Sequence, residues 1–419
     1  MASAEAVETR TLFRNRWWIV AASLIGNVVG PGPAVIFTVN VYMVPVTTAL
    51  GWSRGLFSSG LLASAVASPI MTPLFGWLMD RYGIHRIALP TTFLYGLALA
   101  SFALLSPAHV WPLYFMFAAA SGFGACMGPI VYSKSITAWF DKERGLALGI
   151  ATCGVGLGTL ILPVLAQSII STYGWRPAYV VVGALTWLVS FSMIALFVRE
   201  PPGYFQHMRE VRRNPAAEKQ VFGLSTKAAI GTRQFWMLAV IFLAEGTCNN
   251  GILSGHFVPL LTDRGYTPQA AAGLLGLSGL AAMGARVVVG LCLDWVNGPI
   301  FSGISMFLPV IAVGLLLSHS GAPAPFFAAI CFGLAIGAEI DMLGFFVSRY
   351  FGRHSFGTLY GLIFALFACG VGIGPAILGA GFDHYHSYDP VLWVYFSVLI
   401  VAALLFLPLG RYIYPKGTV

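Results

Sequence analysis

Residues 76–86 read GWLMDRYGIHR and join two long apolar segments of the chain, 56–79 and 87–105. A bilayer-spanning α-helix takes roughly 20 residues, so each segment is long enough to cross a membrane. The charged turn between them stays in water while the apolar segments lie in lipid. This pattern is typical of a membrane protein that crosses the bilayer several times.

The composition of the whole chain agrees with that pattern. Of its 419 residues, 58% are hydrophobic and 9% are charged, and the mean hydropathy is +0.82. Soluble domains are about a quarter charged, so the composition excludes a soluble enzyme. The 48 Gly and 24 Pro are compatible with spanning helices, because neighbouring helices satisfy the backbone groups that these residues free.

Apolar runs bounded by charged residues or Gly/Pro turns predict twelve spans. The first contains Gly-Pro-Gly-Pro at 30–33, which predicts a kink or an early break. The predicted spans are 17–49, 56–79, 87–105, 111–138, 145–171, 178–198, 235–261, 269–293, 299–318, 324–348, 356–381 and 390–410.

The long polar stretch 199–234 divides the chain into six spans and six spans. We therefore expect a first bundle at 1–198, a cytoplasmic linker at 199–234 and a second bundle at 235–419. With both termini in the cytoplasm, 18 of the 23 Lys and Arg residues fall on the cytoplasmic side. The positive-inside rule favours that orientation.

The two predicted bundles carry repeated motifs. GxxxD at 76–80 recurs 214 positions later at 290–294, Gly51 recurs as Gly265 at the same spacing, and CGVGLG at 153–158 recurs as CGVGIG at 369–374. Several repeats at nearly constant spacing indicate two homologous six-helix bundles. Such bundles are typical of carriers whose site lies between the halves.

The six cysteines lie in apolar stretches without a CxxC pair, so neither a disulfide framework nor a metal site is predicted. No cofactor is expected. The net charge of +8 lies in loops that flank the spans, which favours contact with membrane lipid and not with nucleic acid.

The motif at 76–86 resembles the G-x-x-x-D-R-x-G-x-R signature of the major facilitator superfamily, in the loop where that family has it. The resemblance implies an all-α membrane protein with twelve transmembrane helices in two pseudo-symmetric bundles. It also implies a conformational latch in which a carboxylate at a helix end pairs with the facing half in one state. The latch residues would be Gly76, Asp80, Arg81, Gly83, Arg86, Gly290 and Asp294; the second copy has Trp295 in place of the Arg.

Two further motifs, LGWSR at 50–54 and WFDKERGLALG at 139–149, resemble the monocarboxylate transporter family and its bacterial oxalate/formate-antiporter-like relatives. This resemblance implies transport of small organic anions, often with a proton, and a bacterial inner membrane as the location. It also implies that Arg286 in the eighth span binds the substrate. The Asp that the family has four residues earlier is Ala282 here, so its usual proton-coupling carboxylate is missing.

Ionisable residues inside the predicted spans are candidate functional residues, because burying a charge costs several kcal/mol. The guanidinium of Arg286 offers paired donors to a carboxylate and stays charged. The alternative role of Arg286 is a structural ion pair with Glu339 or Asp341. These two carboxylates are two residues apart, about 200° around a helix, so only one can face a central cavity. Asp341 is the favoured proton-coupling partner of Arg286, with Glu339 and Glu245 as the other candidates.

Lys134 is predicted either to extend towards the membrane surface or to form a second cationic contact with the anion. Polar residues in spans line cavities in some transporters and hold helices together in others. The further candidates of this kind for substrate binding are Asn27, Tyr42, Asn250, His256 and Tyr360.

The sequence thus predicts a secondary active transporter of small mono- or dicarboxylates that works as a monomer by alternating access. Proton symport and anion exchange both remain open. A multidrug/proton antiporter is the alternative within transport, disfavoured by a cationic site and an incomplete motif in the fifth span. A transporter-like sensor or receptor is the alternative from another class, and it usually needs an added soluble domain. An enzyme is not predicted, because no nucleophile–base cluster is present.

Overall fold

The computed structural model describes residues 16–127, 129–140, 144–199, 223–295, 305–321, 323–352 and 355–410. In these ranges the chain folds as helices joined by short turns, without a strand. Ten helices within these ranges are long and apolar enough to cross a membrane. Together with α8 and the shorter α9, whose bounds follow, they make twelve helices in two bundles within the described residues, which agrees with the predicted fold class.

The first bundle consists of α1 to α6, of which α1 and α6 contain a π-helical turn. Their bounds are α1 (Trp17–Val28, the π-turn Gly32–Phe37 and Val39–Leu50), α2 (Arg54–Tyr82), α3 (Ile84–Ser101), α4 (Trp111–Met127 and Pro129–Trp139), α5 (Arg144–Tyr173) and α6 (Trp175–Thr186, the π-turn Trp187–Phe191 and Ser192–Phe197).

The second bundle consists of α7 to α12 and follows a short helix, Thr226–Ile230. The bounds are α7 (Arg233–Glu245, the π-turns Gly246–Asn250 and Ile252–His256, and Phe257–Asp263), α8 (Pro268–Trp295), α9 (Phe307–Leu317), α10 (Pro323–Phe351), α11 (Phe356–Tyr385) and α12 (Asp389–Leu404).

The helix ends follow from local chemistry. Ser53 Oγ accepts a hydrogen bond from Leu56 N at the start of α2, and Thr232 Oγ1 accepts one from Phe235 N at the start of α7. Gly51 and Gly265 both have positive φ, 65° and 90°, in the turns before α2 and α8. The repeated glycines predicted from the sequence therefore form equivalent turns.

The Gly-Pro-Gly-Pro segment interrupts α1, as predicted. The first α-helical part ends at Val28 and the chain continues through the π-turn Gly32–Phe37. Proline removes a backbone donor and its ring crowds the preceding turn, which accounts for the break.

Consecutive helices run in opposite directions, so the described chain begins and ends at the same end of the bundle, here called the terminal end. Arg16 lies over the Phe140 ring at the end of α4, and Tyr350 at the end of α10 donates a hydrogen bond of 2.9 Å to Gly410 O. The opposite end, with the turns at Gly51 and Gly265, is here called the loop end.

The repeated glycine motif holds the two bundles together in the same way in each half. Its outer glycines lie against the first helix of their own bundle, where a Cβ would meet a backbone oxygen. Gly154 and Gly158 face Leu24 O and Val28 O, while Gly370 and Gly374 face Leu243 O and Thr247 O. The middle glycine lies against the other bundle: Gly156 against Gly279 of α8, and Gly372 against Ala65 of α2. Small residues thus allow α5–α8 and α2–α11 to pack closely.

Candidate functional site

The two bundles touch near the loop end and separate towards the terminal end. On α2, Gly55 and Ala65 lie against α11. Gly76 follows Ala65 by eleven residues, about three helical turns, and therefore lies on the same face. A Cβ on Gly76 would have no atom within 4 Å, and the same holds for Gly361, its antiparallel counterpart on α11. The seam between α2 and α11 therefore opens as a wedge.

The seam between α5 and α8 opens in the same direction. Gly156 packs against α8, whereas Gly149, two turns nearer the terminal end on the same face, has nothing within 4 Å. The wedge therefore lies between the two bundles and reaches the terminal end. A cleft of this kind between halves is where a transporter of this architecture binds its substrate.

Arg286 lies on the side of α8 that borders this wedge. At 100° per residue, its position falls between the face that packs on α5 and the face that packs on α10. The residues facing α5 are Gly276, Gly279 and Met283, and those facing α10 are Ser278, Ala282 and Ala285. Arg286 is partly exposed, and it forms no hydrogen bond or ion pair within the described residues.

Position 341 lies level with Arg286 on the neighbouring helix. Gly333 packs against Ser278 and Gly337 against Ala282, a constant spacing of 55 positions between the parallel helices α8 and α10. The same spacing brings the backbone of residue 341 opposite that of residue 286. The side chain of Asp341 lies outside the described residues.

Lys134 contacts the predicted latch motif inside the first bundle. Its Nζ donates a hydrogen bond of 3.2 Å to Gly76 O. Gly83 has a φ of 90° in the turn between α2 and α3, a conformation that favours glycine. Arg81 is exposed and lies over the Trp77 ring at 5.5 Å. Arg86 is also exposed. The surroundings of Asp80, Gly290 and Asp294 lie outside the described residues.

Two of the predicted polar candidates lie within the first bundle. Asn27 Nδ2 donates a hydrogen bond of 3.0 Å to Ala151 O, which joins α1 to α5. Tyr42 stacks on Tyr179 with ring centroids 3.7 Å apart, and its buried hydroxyl has no partner within the described residues. A small cavity lined by Phe102 and Phe117 lies beside this pair.

Two predicted acidic residues and one amide come together inside the second bundle. Asn250 Nδ2 donates a hydrogen bond of 2.9 Å to Glu339 Oε2, joining the π-turn of α7 to α10. Glu245, which precedes that π-turn, is 1% exposed and Glu339 is 3% exposed. Tyr360 lies farther towards the terminal end and stacks on Phe364 at 5.9 Å.

His256 lies towards the loop end of α7 and is fully buried. Its Nε2 is 2.8 Å from Pro375 O, and its Nδ1 is 3.0 Å from Tyr388 Oη. A carbonyl oxygen can only accept, so Nε2 carries the proton and Nδ1 accepts from the Tyr388 hydroxyl. The structure thus places His256 away from Arg286, among the groups that close the loop end.

Polar contacts close the loop end between the two bundles, around Arg54 of α2. Arg54 forms a bidentate ion pair with Asp263 at the end of α7, at 2.5 and 2.9 Å, and Nη1 also donates to Tyr388 Oη at 2.8 Å. The backbone N–H groups of Arg54 and Gly55 donate to the Asp383 carboxylate at 3.2 and 2.9 Å. We call Arg54, Asp263, Asp383 and Tyr388 the loop-end lock.

Asn40 adds a second polar contact between the bundles, deeper than the lock. Its Nδ2 donates to Leu253 O at 2.6 Å, and its Oδ1 accepts from Val258 N at 3.3 Å. Asn40 is 1% exposed. It therefore joins α1 to the second π-turn of α7, where the wider helix frees backbone groups that need a partner.

A protein-family model described as Major Facilitator Superfamily matches residues 4–116 and 33–375 of the chain. The chain belongs to the Major Facilitator Superfamily. It is 24% identical over 324 residues to the MFS-type transporter YhjX of Escherichia coli (strain K12), covering 76% of each chain. It is 25% identical over 356 residues to monocarboxylate transporter 11 of Homo sapiens, covering 81% of this chain and 72% of that one.

Among solved structures, the nucleoside transporter NupG superposes with a TM-score of 0.72 at 13% identity, covering 94% of this chain and 100% of that one. The likeness confirms the predicted fold class. As a member of the Major Facilitator Superfamily, the protein is a multi-pass membrane transporter of small molecules and not an enzyme.

Sequence reasoning missed the loop-end lock of this superfamily member. Arg54 lies in the LGWSR motif at 50–54, from which no contact between the bundles is predicted. Its partners Asp263 and Tyr388 lie 209 and 334 positions away in sequence. Contacts between residues so far apart in sequence depend on how the helices pack, and local sequence patterns do not encode that packing.

Proposed function

We propose that this protein is a secondary active transporter of small mono- or dicarboxylates that works by alternating access. Arg286 carries the proposal, because it is a permanent cation with no ion-pair partner within the described residues, next to the wedge between the bundles. A guanidinium binds a carboxylate through two parallel hydrogen bonds. The similarity to monocarboxylate transporter 11 supports the same substrate class.

The orientation follows from the distribution of Lys and Arg, which puts the terminal end in the cytoplasm. The wedge then opens to the cytoplasm and the loop-end lock closes the outer face. An anion would enter from the cytoplasm in this state, and in the alternate state the lock would open while the terminal end closes. We place the protein in a bacterial inner membrane and propose that one chain suffices, because both walls of the wedge belong to the same chain.

Transport by proton symport and by anion exchange both fit this site. Symport needs a carboxyl group that binds and releases a proton, for which Asp341, Glu339 and Glu245 are the candidates. The register of α8 and α10 favours Asp341 as the counter-charge of Arg286 when no anion is bound.

The test is uptake of labelled mono- and dicarboxylates into proteoliposomes, with either an acidic exterior or unlabelled anion inside. We expect Arg286→Gln to weaken binding by about 10- to 150-fold, since a hydrogen-bonded charge contributes roughly 1.5–3 kcal/mol. Arg349→Gln is the matched control, because Arg349 lies over the Phe345 ring at the end of α10. Uptake by the Arg286 variant equal to that of the control would refute the role of Arg286.

A further inference from the structure

Two buried glutamates of the second bundle lie away from the wedge. Glu245 precedes the first π-turn of α7 and Glu339 lies on α10. Glu339 is two residues from Gly337, which packs on α8, so it lies about 200° around α10 from that face. It instead contacts α7 through Asn250. The pair is therefore inside the bundle, while Arg286 borders the wedge.

The surroundings of the pair are tightly packed. A Cβ on Gly246 would overlap Phe367 O, and one on Gly370 would come within 2.7 Å of Thr247 N, so α7 and α11 are in close contact along this turn. The backbone hydrogen bonds of a π-turn join residues five apart, so one turn takes more than four residues and brings Asn249 and Asn250 to the side of the helix that carries Glu245. Asn250, which bonds Glu339, ends the π-turn that follows directly after Glu245, so both carboxyl groups border the same turn of α7.

Several polar atoms here have no partner within the described residues: both carboxyl oxygens of Glu245, Oε1 of Glu339, and both side-chain amide atoms of Asn249. The titratable or charged groups within about two helical turns of the level of the pair on these helices include Cys248, Tyr395, Cys369, Arg286 and Asp341. Tyr395 donates to Gly374 O, and no described cation forms an ion pair with either glutamate.

Two ionised carboxylates cannot share such a site. Each buried charge costs several kcal/mol, and like charges nearby raise that cost. A proton on one of the two carboxyl groups removes the repulsion between like charges and one of the two burial costs, and it supplies an O–H donor for an unpartnered oxygen.

We propose that Glu245 and Glu339 form a proton-binding site that is separate from the Arg286 anion site and supplies the coupling proton. This inference rests on the proposed function. In the conformation described here the pair holds at least one proton as a carboxyl O–H. On release the proton passes to water and leaves a carboxylate, and rebinding reverses the step.

Helix α7 links this site to the loop-end lock. The first π-turn, Gly246–Asn250, carries Asn250, and the second, Ile252–His256, carries Leu253 O and His256. Leu253 O accepts from Asn40, and His256 is joined to Arg54 through Tyr388. Opening of the loop end must break these bonds and displace the same segment, which gives water access to the pair.

The test begins with infrared spectroscopy of the purified full chain at neutral pH in H₂O and D₂O. We expect a deuterium-sensitive C=O band of a protonated carboxyl group that the double variant E245Q/E339Q loses. Glutamine preserves the shape of each side chain and can still bond Asn250. The control variant Asp389→Asn retains the band, because Asp389 pairs with Arg264 at 3.0 Å at the loop end.

Absence of the band, or its persistence in the double variant, would overturn the proposal. Loss of the band on adding Na⁺ to the unmodified protein would also overturn it, in favour of a metal-ion site. In proteoliposomes, E245Q/E339Q should keep anion exchange and lose accumulation driven by a pH gradient; retained accumulation contradicts the coupling role. Unimpaired uptake by Arg286→Gln would instead refute the proposed function and leave the infrared result standing.

Discussion

Replacing Arg54 with Gln tests whether the loop-end lock holds the two bundles together at the loop end. The substitution removes the bidentate ion pair with Asp263 and the hydrogen bond to Tyr388, and retains the backbone bonds to Asp383. The Arg54 and Asp263 side chains are 15% and 33% exposed, so water screens the ion pair. We assign about 1 kcal/mol to it and about 1 kcal/mol to the Tyr388 bond, which together correspond to a shift of about 30-fold towards the open state.

A cysteine at position 58 reports that shift. Ser58 is fully buried and lies against Gly379 of α11 directly below the lock. In a background without the six native cysteines, a membrane-impermeant maleimide added at the loop end should label Ser58→Cys about 30-fold faster when Arg54 is Gln. The rate follows the open population as long as opening is faster than labelling.

The matched control is Arg176→Gln. Arg176 also lies at the loop end, but it donates to Ala103 O and Leu105 O of its own bundle. It should leave the labelling rate unchanged. Equal rates for the Arg54 and Arg176 variants would show that the lock does not hold the loop end closed. Restoration of slow labelling by the exchanged pair Arg54→Asp with Asp263→Arg would assign the effect to the ion pair.

Three further substitutions test, in turn, a contact that closes the loop end, the wedge, and the interior of the first bundle. Asn40→Leu leaves Leu253 O and Val258 N unpaired when the loop end is closed, which costs about 1–3 kcal/mol. We therefore expect faster labelling at position 58. An unchanged rate would show that Asn40 does not help to hold the loop end closed. Gly76→Leu fills open space in the wedge of this conformation but blocks closure of the terminal end. Uptake should therefore fall while the melting temperature stays the same. Normal uptake would show that the face of α2 around Gly76 does not close against α11. Tyr42→Phe removes a buried hydroxyl with no described partner, so uptake should persist and thermal stability should not fall. Loss of uptake would instead indicate that the Tyr42 hydroxyl binds the substrate.

The spanning helices could be predicted from the sequence because the signal is local. Each apolar run must satisfy its own backbone in lipid, so hydropathy alone locates it. The break at Gly30 to Pro33 is equally local, since proline acts on its own turn. Repeated glycines predicted two related bundles, and the structure shows the cause: Gly156 and Gly372 occupy equivalent positions at the two seams.

The candidate site could be predicted only in part. The 200° between Glu339 and Asp341 on a helix already implied different neighbours, and Glu339 indeed bonds Asn250 of α7. The π-turns of α7 left no recognisable signal in the sequence. They set which side of α7 Asn249 and Asn250 occupy, and so which groups meet Glu245 and Glu339.

The loop-end lock is asymmetric although the bundles are related by a repeat. The spacing of 214 positions that relates Gly51 to Gly265 puts Pro268 at the place equivalent to Arg54, so the α5–α8 seam has no matching arginine. That seam is held by Gly156 and Gly279 packed against each other, whereas the α2–α11 seam adds the ion pair of Arg54. When a polar contact at the surface breaks, water replaces the lost hydrogen bonds at little net cost, whereas water does not replace the lost contacts of close apolar packing. Because both seams have close glycine contacts and, within the described residues, the α2–α11 seam alone adds an arginine ion pair, Arg54→Gln should loosen the α2–α11 side of the loop end more than the α5–α8 side.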